Sequence, residues 1–158
     1  MNIRKYQSHD KSDLLKLIIY LQNFEQHLEP KIQDSGENIA GNFLSNLLKK
    51  TQNEKGIIYV AEQNTVIGFI TGHIEHGKDK IEFLNKKIFY ISNLAVLPDF
   101  QKQGIGKALL TKIEAYAKSL GLKLIQINVL NKNKIAYEAY KKMKYRDYEI
   151  GLIKETSK

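Results

Sequence analysis

Apolar residues along the chain switch repeatedly between a period near two and a period near 3.6, and each switch marks an element. The opening NIRKYQ (residues 2–7) predicts a short strand. Leu14, Leu17, Ile18, Leu21, Phe24 and Leu28 share one helical face, with Asp10 and Asp13 placed to cap its start and Pro30 to end it. After the polar break KIQDSGEN, the spacing of Ile39, Phe43, Leu44, Leu47 and Leu48 predicts a second helix, closed before Gly56. GIIYVAEQ and TVIGFITGHIEH meet at Asn64-Thr65 and predict two antiparallel strands joined by a tight turn, followed by a polar, lysine-rich loop. KIFYISNLAVL (87–97) is rich in β-branched and aromatic residues and predicts a long strand stopped by Pro98. Ile105, Ala108, Leu109, Ile113, Tyr116, Ala117 and Leu120 trace a third helix ending at Gly121. LKLIQINVL (122–130) predicts a buried strand, Ala136, Ala139, Tyr140 and Met143 the inner face of a last helix, and YRDYEIGLI a final strand. The order β-α-α-β-β-β-α-β-α-β implies one α/β domain over residues 1–158, on a mixed, mostly antiparallel sheet flanked by helices.

Composition changes this picture little. The 158 residues suffice for one core, and the chain has no cysteine to staple it. No apolar run approaches the roughly 18 residues of a membrane span, and the first residues lack the apolar stretch of a signal peptide, so the expected location is the cytoplasm, away from membranes. Lys and Arg number 25 against 17 Asp and Glu, a net charge of +8 that favours anionic partners but is spread along the chain.

The chemistry concentrates in LPDFQKQGIGKAL (97–109), between the end of a strand and the start of a helix. There, backbone N–H groups lack helical partners and the helix dipole is positive, which suits a phosphate. Gly104 and Gly106 bare the main chain, and Lys102 and Lys107 add charge. A plain strand-to-helix turn would use the same glycines for packing. A Walker loop is excluded, because Ala108 follows Lys107 and Gln101 stands where the first glycine belongs; a dinucleotide fingerprint is excluded by Leu109.

The wider segment LAVLPDFQKQGIGKALL resembles the acetyl-CoA-binding segment of the GNAT-type N-acetyltransferases: a strand, then Gln or Arg, two residues, Gly, any residue, Gly or Ala. Gln101, Gly104 and Gly106 match it, and downstream Asn133, Ala136 and Tyr140 in NKIAYEAYKKMKY keep the family's second spacing. The element order agrees with that family over nearly the whole chain. The resemblance implies a cytoplasmic, metal-free transferase that moves an acetyl group from acetyl-CoA to a primary amine of a small molecule or protein. It implies a pyrophosphate cradled by the main chain of Gln101, Lys102, Gln103, Gly104, Ile105, Gly106 and Lys107. The pantetheine would lie along Leu94, Ala95 and Val96, with the amides near Leu94 and Ala95 facing the thioester carbonyl.

Tyr140 is the implied general acid, since a phenol with an ordinary pKa of about 10 is protonated at neutral pH; its competing reading is a core tyrosine of the last helix's buried stripe. Tyr137 packs at the edge of that stripe or against the cofactor, while Asn131 and Asn133 either contact the pantetheine or cap the helix. Where many relatives carry a glutamate base, this chain has Asn93 and Asn128, which cannot take a proton. Glu25 and His27, at the end of the first helix, are the preferred candidates for a base. His73, alternating with Thr71 and Glu75, reads as a partly exposed surface residue. Glu25, Glu29, Asp34 and Glu37 form either a solvated loop or an acidic lip that attracts a cationic amine. Lys144 replaces a glycine common in relatives, which leaves that turn's geometry open. Two other functions compete: an acetyl-CoA-binding sensor without catalysis, and a basic nucleic-acid-binding module using the nine tyrosines for stacking. Nucleic acid is not the expected partner, because the lysines gather on no single element, and the sequence leaves room for a homodimer.

Overall fold

The computed structural model describes residues 1–53, 55–76 and 87–156; the expected lysine-rich loop lies outside them. The chain forms two compact units, residues 1–128 and 129–158.

The first unit is built on a five-stranded sheet in the order β1-β2-β3-β4-β5: β1 (Asn2–Lys5), β2 (Ile57–Gln63), β3 (Thr65–His76), β4 (Lys87–Val96) and β5 (Ile125–Ile127). Neighbours are antiparallel except β4 and β5, which are parallel. Helices α1 (Lys11–Leu28) and α2 (Gly36–Asn53) supply Leu14, Leu17, Ile18, Leu21, Ala40, Leu44 and Leu47 to a core shared with Ile58, Val60, Phe69 and Ala95 of the sheet. Helix α3 (Ile105–Ser119) covers the other face, where Tyr116 meets Tyr59 and Phe89 edge to face. Among the described residues no helix is long and apolar enough to cross a membrane.

Asp10 does precede α1, but its side chain does not cap it. Its carboxylate is drawn instead to Arg4, which donates to Asp10 at 2.7 and 2.8 Å and to Glu62 at 2.8 and 2.9 Å, and to the Gln7 N–H at 2.8 Å. Helix α2 begins inside the expected polar break, because Asn23 of α1 accepts the Gly36 N–H at 2.7 Å and Asp34 accepts the Ser35 N–H at 2.7 Å. The turn at Asn64-Thr65 contracts to Asn64 alone, at φ 68°.

A break in the β3–β4 ladder shapes this end of the sheet. Thr71 pairs with Asn93 but Gly72 pairs with Ile91, so Ser92 is an extra residue, a β-bulge. The bulge reverses the side-chain alternation: Phe89 packs against Tyr116 of α3, whereas Ala95, six residues on and of the same parity, lies in the core with α1 and α2. Gly72 belongs to the same break, since a Cβ there would lie 2.5 Å from the Phe89 ring.

The parallel ladder with β5 covers only Phe89, Tyr90 and Ile91 and stops where the bulge begins. That is why β5 is three residues long and partly exposed instead of the buried strand expected over 122–130.

The second unit contains α4 (Lys134–Lys142). None of its residues is buried and Ala139 is exposed, so the expected buried stripe is not formed. The expected final strand is also absent among the described residues; Ile150, Leu152 and Ile153 are exposed. One physical cause serves both corrections. Residues 129–158 fall below the roughly 40 residues at which a chain can enclose a core of its own, and a period-2 pattern makes a strand only where a neighbour supplies the ladder.

Candidate active site

Beyond the bulge, β4 runs from Ser92 to Val96 with β3 on one side and, among the described residues, no strand on the other. One edge of Ser92, Asn93, Leu94, Ala95 and Val96 is thereby left to an extended ligand, which could bond it as a strand would. The strand leads through the turn Pro98–Phe100 into the glycine loop.

This loop is held in shape by its glutamines. Gln101 donates through Nε2 to the Val96 carbonyl and the Tyr20 hydroxyl, both at 2.9 Å, and its own N–H goes to Pro98 at 3.1 Å. Gln103 donates back to the Asp99 carbonyl at 3.1 Å. Gln101 thus fastens the loop to β4 and α1, which narrows the candidate phosphate donors to residues 102–107. Lys102 and Gly104 both take left-handed backbone, at φ 60° and 82°, folding the main chain into a concavity of the kind that binds anions. The Ala108 N–H, bonded to Gly104 at 3.0 Å, opens the helical ladder, so the N–H groups of Ile105, Gly106 and Lys107 precede it and face out of the helix end. A Cβ on Gly104 or Gly106 would meet open space, so the fold itself does not demand a bare backbone at Gly106. The chemistry of the set, main-chain donors with two exposed lysines, fits a pyrophosphate.

Next to the bulge lies a polar group in the sheet. His73 is buried, 6% exposed, which corrects its expected place at the surface; it sits opposite Tyr90, with ring centroids 5.7 Å apart, and its Nδ1 is 3.1 Å from the Ser92 hydroxyl. Thr71, fully buried, donates to Asn93 at 3.2 Å. Burial raises the Tyr90 phenol above its ordinary pKa, and the nearby carboxylates of Glu75 and Glu25 add to that rise. Glu25, half-buried, accepts from the buried Gln22 at 3.4 Å; its own burial raises its carboxyl.

His27, by contrast, is exposed at the end of α1. Glu37 accepts from Asn23 at 2.9 Å, and Asp34 accepts from Ser35 and Asn38, bonds that hold both below the ordinary carboxylate range and bind the acidic segment to α1 and α2. Ser92 and Tyr90 do not stand out from the sequence alone. The signal available was Ser92-Asn93, a polar pair inside an otherwise apolar strand.

In the second unit Asn133 caps α4, accepting the Ala136 N–H at 3.1 Å, and Asn131 accepts from Lys134 at 3.0 Å. Tyr137 donates to Asp147 at 3.2 Å, and that bond raises its phenol. Tyr140 is half-buried, its ring 6.0 Å from that of Tyr145.

The model of the acetyltransferase (GNAT) family matches residues 19–145. An uncharacterized N-acetyltransferase of Methanocaldococcus jannaschii is 35% identical over 65 residues, 41% of this chain and 29% of that protein. The matches cover between about a fifth and a third, 22% and 29%, of the length of the two curated relatives. Among solved structures, a tetramutant of the BH1408 protein from Bacillus halodurans shares the fold at TM-score 0.85 and 20% identity, covering 99% of this chain and 100% of that one. AAC(6′)-Iy, in complex with the bisubstrate analogue CoA-S-monomethyl-acetylneamine, does so at TM-score 0.68 and 17% identity, covering 99% and 97%. With the strand order, the glycine loop and a family match across most of its length in agreement, the chain belongs to the GNAT family of acetyltransferases.

Proposed function

We propose that this protein transfers an acetyl group from acetyl-CoA to a primary amine, both units of the chain serving as one transferase in the cytoplasm. The observation that carries the reading is the end of the β4–β5 ladder at Ile91, which among the described residues leaves Ser92–Val96 without a strand on one edge and leading into the donors of residues 102–107. Acetyl-CoA supplies an activated carbonyl, as a thioester. The Leu94 backbone amide, on the edge of β4 away from β3, receives the charge that develops on its oxygen, and the N–H groups of 102–107 with Lys102 and Lys107 hold the pyrophosphate. The amine nitrogen bonds to the carbonyl carbon, the carbon–sulfur bond breaks, the thiolate takes a proton from the Tyr140 hydroxyl, and the N–H proton that the nitrogen sheds on becoming an amide restores the phenol through solvent. That assignment of Tyr140 rests on the match of Asn133, Ala136 and Tyr140 to the family's spacing. A relative solved with an acetylneamine analogue makes a polycationic amine a reasonable first acceptor to try.

The test is acetyl-CoA-dependent thiol release over a panel of spermidine, sisomicin, lysine and a peptide with a free N-terminus. Release with at least one amine, lowered about 10² to 10⁴-fold in Tyr140→Phe with acetyl-CoA affinity retained, is the expected result. No release with any of the four, or full turnover in Tyr140→Phe, contradicts the transfer reading or the acid respectively.

A further inference from the structure

Acetyl transfer to an ammonium ion needs a group to take its proton, and the residues expected on family grounds are the amides Asn93 and Asn128. The bulge supplies an alternative. Ser92 is half-buried and can be reached from outside, while the imidazole behind it is 6% exposed and cannot. The two are 3.1 Å apart through Oγ and Nδ1, a hydrogen-bonding distance. Ser92 also stands two residues before Leu94, roughly 6 to 7 Å along a strand, next to the edge where the thioester would lie.

We propose that Ser92 and His73 form a two-step proton relay for the acceptor amine, Ser92 touching the substrate and His73 storing the proton. The inference rests on the acetyl-transfer reading. An N–H proton of the ammonium passes to Ser92 Oγ as the Ser92 O–H proton passes to His73 Nδ1. The nitrogen keeps its electron pair and becomes a neutral nucleophile, the hydroxyl is regenerated, and the imidazolium later returns its proton to solvent back through the Ser92 hydroxyl, the reachable member of the pair. Tyr90 of β4 meets the His73 ring edge to face, and Glu75 of β3 and Glu25 of α1 lie near enough to Tyr90 to raise its phenol. Carboxylates at this end of the sheet favour an incoming ammonium. A buried imidazole needs polar partners, and Ser92 is one that is itself only half-buried.

The test is the pH profile of kcat/KM for the amine from the panel that gives most thiol release, with the acetyl-CoA melting shift measured in parallel. In the wild type the rate should level off below the amine's own pKa of about 10. In Ser92→Ala and His73→Gln the plateau should vanish, the rate near pH 7 should fall at least tenfold, and it should climb with pH toward the amine's own pKa of about 10. Ser92→Thr, which restores a hydroxyl, should restore the plateau. The acetyl-CoA melting shift should be the same in all of them. A plateau that survives in Ser92→Ala, or a wild-type rate that climbs without levelling, overturns the relay while leaving acetyl transfer standing. Absence of both thiol release and a melting shift overturns acetyl transfer, and the relay with it. Should His73→Gln not fold, Ser92→Ala with its Ser92→Thr rescue decides alone, because it removes one half-buried hydroxyl and no ring from the core.

Discussion

The Gln101 side chain joins the Tyr20 hydroxyl on α1 to the Val96 carbonyl at the end of β4, with both bonds at 2.9 Å. The residue that heads the glycine motif therefore acts as a clamp, spending its amide on the protein and leaving the ligand to the backbone behind it.

Gln101→Ala should weaken acetyl-CoA binding by about tenfold, the worth of one to two net hydrogen bonds. Gln101→Glu should do no better, since a carboxylate cannot donate to either acceptor. Calorimetry with acetyl-CoA measures both. Tyr20→Phe removes one of the two acceptors and should fall between them and the wild type.

Gly106 separates the fold's needs from the ligand's. It lies in the first turn of α3 and a Cβ there meets nothing within 4 Å, so Gly106→Ala should stabilise the free protein by up to about 1 kcal/mol. The same methyl would intrude where phosphate oxygens approach the main chain, so acetyl-CoA affinity should drop. Unfolding in urea and calorimetry on one sample check the opposite signs.

The Arg4 clamp gives the protein an acid-sensitive element. Asp10 is 3% exposed, and hydrogen bonds from Arg4 hold its carboxyl below the ordinary range. A carboxyl with a lowered folded pKa contributes stability above its unfolded pKa of about 4 and loses it as pH falls through the lowered value. Arg4→Met should cost on the order of 3 kcal/mol at neutral pH by stranding that buried carboxylate. It should also flatten the loss of stability below about pH 4, measured by urea unfolding between pH 2 and 7.

Lys144 occupies φ 69°, directly after α4, and the Tyr145 N–H reaches back to the Tyr140 carbonyl at 3.1 Å. Helix α3 ends the same way, with Gly121 at φ 75° and the Leu122 N–H on the Ala117 carbonyl at 3.2 Å. The same left-handed turn thus ends both helices, with Lys144 bearing the strain that Gly121 avoids. Lys144→Gly should stabilise α4 by about 1 kcal/mol, visible as slower amide exchange across residues 134–142.

The sequence disclosed elements whose partners lie close along the chain or whose apolar stripes are long. Leu14 to Leu28 and Ile105 to Leu120 announce helices because burial and periodicity coincide there, and the strands β2 to β4 are rich in β-branched and aromatic residues. The glycine loop was legible as an anion site because left-handed backbone and a helix start leave marks in residue type. Long-range pairing left no such mark. Only the register with β3 shows Ser92 to be an extra residue, and only that bulge explains why β5 stops at Ile127. His73 looked exposed from alternation alone, because alternation cannot say whether a helix covers that face. Asp10 looked like a cap because Arg4, six residues away, cannot be seen to compete for it.

If acetyl-CoA lies along the unpaired edge of β4 and in the glycine loop, amide hydrogen exchange with and without saturating acetyl-CoA will register it residue by residue. Exchange should slow at Leu94 and Val96, whose N–H groups face the free edge, and at residues 102–107, with β1 and β2 unchanged. Unaltered exchange in both stretches while the ligand is bound, or protection confined to other parts of the chain, would contradict that placement.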